Sequence, residues 1–234
     1  MAAFLTPDRT RREGGLVISE KLIPDTALWP RDVRAGGFLY KKGTPYKANR
    51  LLSGGTGCVQ GVTVHNTSRI RVPEDTTPAE QYTRATWPNA NMGSVRVHYY
   101  VDGRSVWQNL RENEVGWHAA DGRGPGNETT LAVEIIMAGT GDREDLDAEE
   151  NGARLCGLLL ARHGLTAAAL YRHRDWYPRK NCPCYLIPHW DEFKARVEHY
   201  RLAALGEAPA PQDKRLTALA DRLEAVAKEL RTIA

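Results

Sequence analysis

The sequence predicts an α/β fold: a central, mostly β-sheet flanked by helices, followed by a short coiled-coil-like helix at the C-terminus. Three observations carry that expectation. β-Branched runs at 61–67 and 130–139 read as buried strands, and 95–110 reads as a hairpin. Stretches with helical spacing at 147–164 and about 188–205 alternate with them, as in a sheet covered by helices. A repeat of seven in Leu, Val and Ile then stands apart, behind an Ala/Pro linker.

In chain order, the first fifty residues are rich in Gly, Pro and Lys with few periodic stretches, and predict an irregular arm. Residues 1–19 are set apart as that arm, and 20–205 as the domain proper. GVTVHNT (61–67) ends in polar residues, as a buried strand leaving a sheet would. In VRVHYYVDGRSVWQNL (95–110) two strand-like runs flank Asp102-Gly103, a pair expected to supply the positive φ of a tight turn. GWHAADGRGPGNETT (116–130) reads as a glycine-rich loop and TLAVEIIMAG (130–139) as the second buried strand. In 147–164 Asp147 is the expected N-cap and Gly164 the expected C-cap. The last domain helix carries Trp190, Phe193, Val197 and Tyr200 on one face.

Residues 206–212 read as a stiff linker. In 213–234, Leu216, Leu223 and Leu230 share one heptad position, and Leu219, Val226 and Ile233 another. An isolated helix of this length is marginal in water, so its apolar face needs a partner. Self-association into a homo-oligomer is the favoured expectation, docking onto its own domain the alternative.

Composition sets outer bounds. A chain of 234 residues suits one domain plus an appendage, and 41% hydrophobic with 26% charged residues is ordinary for a globular protein. The net charge of +3, without a dense Lys/Arg block, gives no reason to expect nucleic acid. The first twenty residues hold no apolar core suited to a signal peptide, and no run of about 18 apolar residues predicts membrane insertion. Synthesis and folding in a cytoplasm are therefore expected. Cys58, Cys156, Cys182 and Cys184 are too few and too unevenly spread for a disulfide scaffold.

Three features bear on chemistry. His65 sits where a buried strand ends, a place where a lone histidine is more often packed than ligating. Glu134 lies inside the apolar run LAVEII, where an ionised carboxylate is costly unless it is paired or its pKa rises. RHRDWYPRKNCPCYL (172–186) crowds His173, Lys180, Cys182 and Cys184 together. A Cys-Pro-Cys spacing makes a poor redox pair. A cysteine nucleophile with His173 or His189 as base, an open metal site, and a closed structural zinc site all remain compatible with it.

Taken in order, VHNT (64–67), WHAADGRGPGN (117–127), LAVEI (131–135) and HRDWYPRKNCP (173–183) resemble the type 2 N-acetylmuramoyl-L-alanine amidases. These are zinc enzymes sharing a fold with peptidoglycan-recognition proteins. The likeness covers about residues 20–203 and is greatest to the phage and prophage endolysin branch. It implies His65, His173 and Cys182 as ligands of Zn2+, with the K-x-C-P pattern selecting Cys182 over Cys184. It also implies Glu134 as general base and Lys180 as stabiliser of the oxyanion. Two histidines and one thiolate leave a fourth tetrahedral position open, as catalytic zinc sites do. A related branch uses a tyrosine just before the histidine matching His98; Val97 stands there, so Tyr99 and Tyr100 inherit no role.

The implied substrate is peptidoglycan, cut at the amide between the lactyl group of N-acetylmuramic acid and L-alanine. Trp117, His118, Asp121 and Asn127 are candidates for the groove wall. His98, His163, His189 and His199 are expected to be structural or surface residues, Cys58 and Cys156 buried thiols, and Cys184 a packed neighbour of the metal loop. Two other classes are carried alongside: a peptidoglycan-binding module without activity, and a Cys182/His173 peptidase. Without a signal peptide, the expected setting is an endolysin that reaches the wall after membrane permeabilisation, with muropeptide recycling as the alternative.

Overall fold

A computed structural model describes residues 5–207. The heptad segment 213–234, and all but the first two residues of the expected linker, lie outside the described residues. The strands are β1 (Arg9–Glu13), β2 (Leu16–Glu20), β3 (Val33–Ala35), β4 (Phe38–Tyr40), β5 (Gly61–Ser68), β6 (Tyr99–Val101), β7 (Val106–Gln108), β8 (Thr130–Met137) and β9 (Leu170–Arg172). The helices are α1 (Leu52–Gly55), α2 (Pro78–Thr86), α3 (Pro125–Thr129), α4 (Arg143–Arg162), α5 (His173–Trp176) and α6 (Trp190–Ala204). Seven strands form one mixed sheet in the order β1-β2-β7-β6-β8-β5-β9, and β3 pairs with β4 beside it. The expected α/β architecture is present. No described helix is long and apolar enough to cross a membrane.

β5 and β8 run parallel at the heart of the sheet, and their register decides where the chemistry sits. Val64 pairs with Val133 and His65 with Glu134. Because successive side chains alternate between faces, the two sides separate. Val62, Val64, Leu131, Val133 and Ile135 join the core that includes Leu155, Leu159, Phe193 and Val197 from α4 and α6. Gly152 makes that approach possible, since a Cβ there would lie 2.3 Å from Ile135 Cδ1. The opposite face carries Thr63, His65, Ala132 and Glu134.

The N-terminal segment departs from its expectation. Residues 9–20, read as an irregular arm, form the antiparallel pair β1–β2, and β2 lies parallel to β7. Leu16 and Ile18 are buried while Val17 is exposed, so the signal was a period of two in only a few residues. The charged sequence of β1, RTRRE, hid it, yet charge is what suits an edge strand that must not recruit another chain. Further on, Ile23, Trp29 and Tyr46 form a second small core with Leu110. The Arg96 guanidinium lies 5.0 Å from the Trp29 ring and 4.2 Å from the Tyr46 ring.

Two local readings are corrected. Gly103 does not adopt a positive φ. The hairpin turn is held by Asp102, whose Oδ1 accepts from the backbone N–H groups of Arg104 and Ser105, both at 2.7 Å. Gly103 is required for closeness instead, because a Cβ would meet the Glu144 carbonyl at 3.1 Å. Helix α4 begins a turn earlier than expected, capped by Asp142 rather than Asp147, with Asp142 accepting from Asp145 N at 3.0 Å. Buried Asp145 explains the early start, since it accepts from the backbone N–H groups of Ala138, Thr140 and Gly141 and so ties the loop to the first turn. Gly164 takes the expected left-handed conformation, φ +64°, just past the helix end.

The far end of α4 is fastened to the sheet by Glu112. It accepts from His163 Nε2 at 2.7 Å and Tyr99 OH at 2.6 Å, and pairs with Arg162. Burial alone would raise its pKa, but the bonds from His163 and Tyr99 and the Arg162 charge outweigh this and lower it from 4.5 to about 2. A depressed carboxylate contributes stability above its unfolded value and loses it as pH falls through the folded one. Glu112→Gln is therefore expected to destabilise the fold by up to about 3 kcal/mol at pH 6, and the deficit should shrink as pH falls from 4.5 towards 2. Urea unfolding of both proteins across that range checks it; an unchanging difference would rule out the ionic origin.

Candidate metal centre

The sheet register delivers the first two groups. His65 on β5 and Glu134 on β8 are lateral neighbours, with His65 Nδ1 and Glu134 Oε1 4.0 Å apart. His173 arrives at the first residue of α5, directly after β9, which pairs with β5 on its other side. Its Nδ1 faces His65 Nδ1 at 2.9 Å. The chain then turns through Tyr177–Lys180, and the Cys182 carbonyl accepts from Arg174 N at 3.0 Å, which folds Cys182 back over the strand end.

Cys182 Sγ lies 3.4 Å from Asn66 N. The donor atoms of His65, His173 and Cys182 all fall within 4.8 Å of one another, and all three residues are buried. Cys184 is half-buried and outside this cluster, whereas Cys58, expected to be buried, is exposed.

The electrostatics suit a cation in search of lone pairs. Desolvation and the charge of Lys180 lower His173 to about 4; desolvation chiefly, with neighbouring histidines and Lys180, holds His65 well below the usual imidazole value. Both rings are therefore neutral at neutral pH, the form that ligates. Two imidazoles and one thiol are donors that suit zinc, so the residues present fit the ion that the sequence resemblance implies. Desolvation raises Glu134 to about 7, against the opposing charge of Lys180, and its Oε2 is buried without a partner. Lys180 itself is exposed, close enough for its charge to be felt at His65, His173, Glu134 and Cys182.

The nucleophile alternative fares worse on the same geometry. Cys182 has the Asn66 backbone as its hydrogen-bond partner, not a histidine. Burial, reinforced by the Glu134 charge, pushes its thiol up to about 12, the opposite of what an attacking thiolate needs.

The expected groove residues separate. Trp117 is half-buried and bridges to Arg96 through paired backbone bonds of 2.8 and 3.0 Å. Asp121 and Asn127 both use side-chain oxygens to hold the loop's own backbone. Asp121 accepts from Gly126 N at 2.7 Å, and Asn127 Oδ1 accepts from His118 N and Ala119 N at 2.7 and 2.9 Å. Asn127 is fully buried, with Nδ2 bonded to the Gly122 carbonyl. They build the loop from within, because a glycine-rich turn has few side chains of its own to hold it.

His118 is also buried, its Nδ1 3.1 Å from His65 Nε2. Tyr99 and Tyr100 are both buried; the first bonds to Glu112 and the second to Thr86 Oγ1 at 2.9 Å. Sequence reasoning missed Asn66. Its Oδ1 accepts from Tyr185 N at 2.9 Å and ties the cysteine loop to β5. It sat in view beside His65 in the VHNT motif, but nothing in the sequence paired it with residue 185.

Sheet and site together define a class: a mixed α/β domain in which a central strand, a short helix and the loop after it bring together a three-donor metal-type cluster beside a buried carboxylate. The chain belongs to the N-acetylmuramoyl-L-alanine amidase family, whose profile matches residues 55–185. Two Bacillus subtilis (strain 168) N-acetylmuramoyl-L-alanine amidases are similar to it. XlyA is 34% identical over 141 residues, 58% of this chain and 43% of its own length. CwlH is 32% identical over 133 residues, 56% and 50% respectively. The matched segment thus spans half or less of each of these relatives. Among solved structures, the catalytic domain of XlyA aligns with a TM-score of 0.58 at 28% identity, over 77% of this chain and 98% of that one. A mutant endolysin from Bacillus subtilis aligns with a TM-score of 0.60 at 28% identity, over 78% and 99%.

Proposed function

We propose that this chain is a zinc-dependent N-acetylmuramoyl-L-alanine amidase that cuts peptidoglycan between N-acetylmuramic acid and L-alanine of the stem peptide. The observation that carries the reading is the convergence of His65, His173 and Cys182 within 4.8 Å, with the Glu134 carboxylate 4.0 Å from His65. Zinc held by those three residues would supply Lewis acidity towards the scissile carbonyl and the attacking water.

The remaining work falls to the chain. Glu134, beside the ligand His65 with one carboxylate oxygen unpartnered, takes the proton from the attacking water and passes it to the departing amine of L-alanine. Lys180, exposed at the lip of the centre, places positive charge beside the oxyanion as it forms. Exclusion of water around Glu134 keeps the proton on this short route.

The test is mass spectrometry of purified peptidoglycan after digestion. Release of peptides with a new N-terminal L-alanine and of intact lactyl-bearing glycan is expected. Binding to sacculi without release would leave a recognition module; cleavage within the stem peptide that survives a strong chelator would point to the Cys182/His173 peptidase.

We further place the enzyme in host lysis, as an endolysin, since relatives over nearly the whole catalytic domain include one described as an endolysin. Residues 213–234 are proposed to associate copies of the chain, so that several catalytic domains meet the wall together and gain avidity. Light scattering at micromolar protein should give a multiple of the 26.1 kDa chain mass; a monomer would count against it.

A further inference from the structure

We propose that His118 is a positioning residue of the metal centre: it accepts the Nε2–H of His65, and thereby presents the Nδ1 lone pair of His65 to the ion. This rests on the metal reading above and goes beyond the groove-wall role expected from sequence.

Proton counting gives the direction of the bond. His65 Nδ1 is the nitrogen that faces His173 and Glu134, at 2.9 and 4.0 Å. A neutral imidazole has one N–H, so ligation through Nδ1 puts the proton of His65 on Nε2. The partner of that nitrogen is His118 Nδ1 at 3.1 Å, with the two rings perpendicular at 89°. His118 Nδ1 is then the acceptor, and the His118 proton lies on Nε2.

His98, one strand away, shows what a purely structural histidine looks like in this fold. It uses both ring nitrogens on the backbone, Nε2 with the Glu114 carbonyl at 2.8 Å and Nδ1 with Ala132 N at 3.0 Å. His118 differs in giving its Nδ1 to a side chain, that of the ligand His65, and that choice of partner points to a role beyond packing.

The surrounding loop is built to hold the ring there. Asn127 Oδ1 clamps the backbone of His118 and Ala119, and Asp121 secures the turn that carries Asn127. Gly116 must lack a side chain, since its Cβ would fall 2.9 Å from His118 Cδ2 and 3.2 Å from His98 Cε1. Asp121 and Asn127 thus brace the backbone that carries His118, and His118 itself faces the ligand His65.

Zinc affinity, measured by competition with a chromophoric chelator, tests the proposal. His118→Leu is expected to weaken binding about 10- to 100-fold, the usual effect of removing a partner that orients a ligand. His118→Asn, whose Oδ1 falls where Nδ1 stood, should recover most of that loss. A leucine variant that binds zinc like wild type would overturn the proposal, as would an equal loss in the asparagine variant.

Nitrogen NMR of the zinc-loaded wild-type protein decides the matter even where a variant does not fold. Protons on Nε2 of both His65 and His118 are expected, and a proton on His65 Nδ1 would overturn the assignment. Wild-type protein that takes up no zinc at all would sink the metal reading, and this one with it.

Discussion

Glu134→Gln is expected to slow peptidoglycan hydrolysis by about 100- to 10,000-fold while zinc content stays at the wild-type level. Glutamine keeps the shape of the side chain in β8 and removes only the ability to exchange a proton. The metal-free variant should also be no less stable than wild type. The native carboxylate is buried with Oε2 unpaired and its pKa raised to about 7 by desolvation, so its ionised form is a burden on the fold. Turnover with a labelled substrate, zinc content by elemental analysis and thermal unfolding of the stripped protein together check this. A variant that retains full turnover would remove Glu134 from the chemistry; one that loses zinc would make it a structural support of the ligands.

Stripping the metal with a strong chelator is expected to abolish release of new N-terminal alanine, and added zinc to restore it. Unfolding should shift as well, because an ion that binds only the folded chain stabilises it, by about 4 kcal/mol at a thousand times its dissociation constant. Loading has to displace the Cys182 proton, so affinity should weaken as pH falls. Cys182→Ala should reproduce the stripped enzyme, whereas Cys184→Ala, altering a half-buried residue outside the cluster, should load zinc normally. Activity indifferent to chelation would favour the peptidase reading, and equal losses in the two cysteine variants would undo the choice between them.

Legibility in the sequence followed the length scale of each physical signal. Buried strands at 61–68 and 130–137 announced themselves because both faces of a central parallel strand are covered, which enriches β-branched residues in one short run. Glu134 stood out for the same reason, as a charge where the run allowed none. The strand β2 escaped notice: its three-residue alternation, Leu16-Val17-Ile18, is too short to rise above a charged neighbourhood. The start of α4 was misplaced because Asp142, Asp145 and Asp147 are equivalent as caps until the backbone donors of the preceding loop choose among them. The turn at Asp102-Gly103 was located correctly and explained wrongly, since crowding against α4 is invisible from the dipeptide.

By itself, the sequence determined the α/β class, the two central strands and a set of residues able to bind a metal or carry an acid–base step. Their spacing left nucleophile, closed zinc site and open zinc site equally compatible, and only resemblance chose among them. Tertiary structure decided what spacing cannot encode. The parallel register sets His65 beside Glu134, the turn after α5 returns Cys182 and not Cys184, and the loop directs His118 inward onto His65. The reason is physical. Pattern along a chain records which residues are buried, whereas which buried atoms face one another depends on strand register and loop geometry, fixed by contacts between segments 50 to more than 100 residues apart.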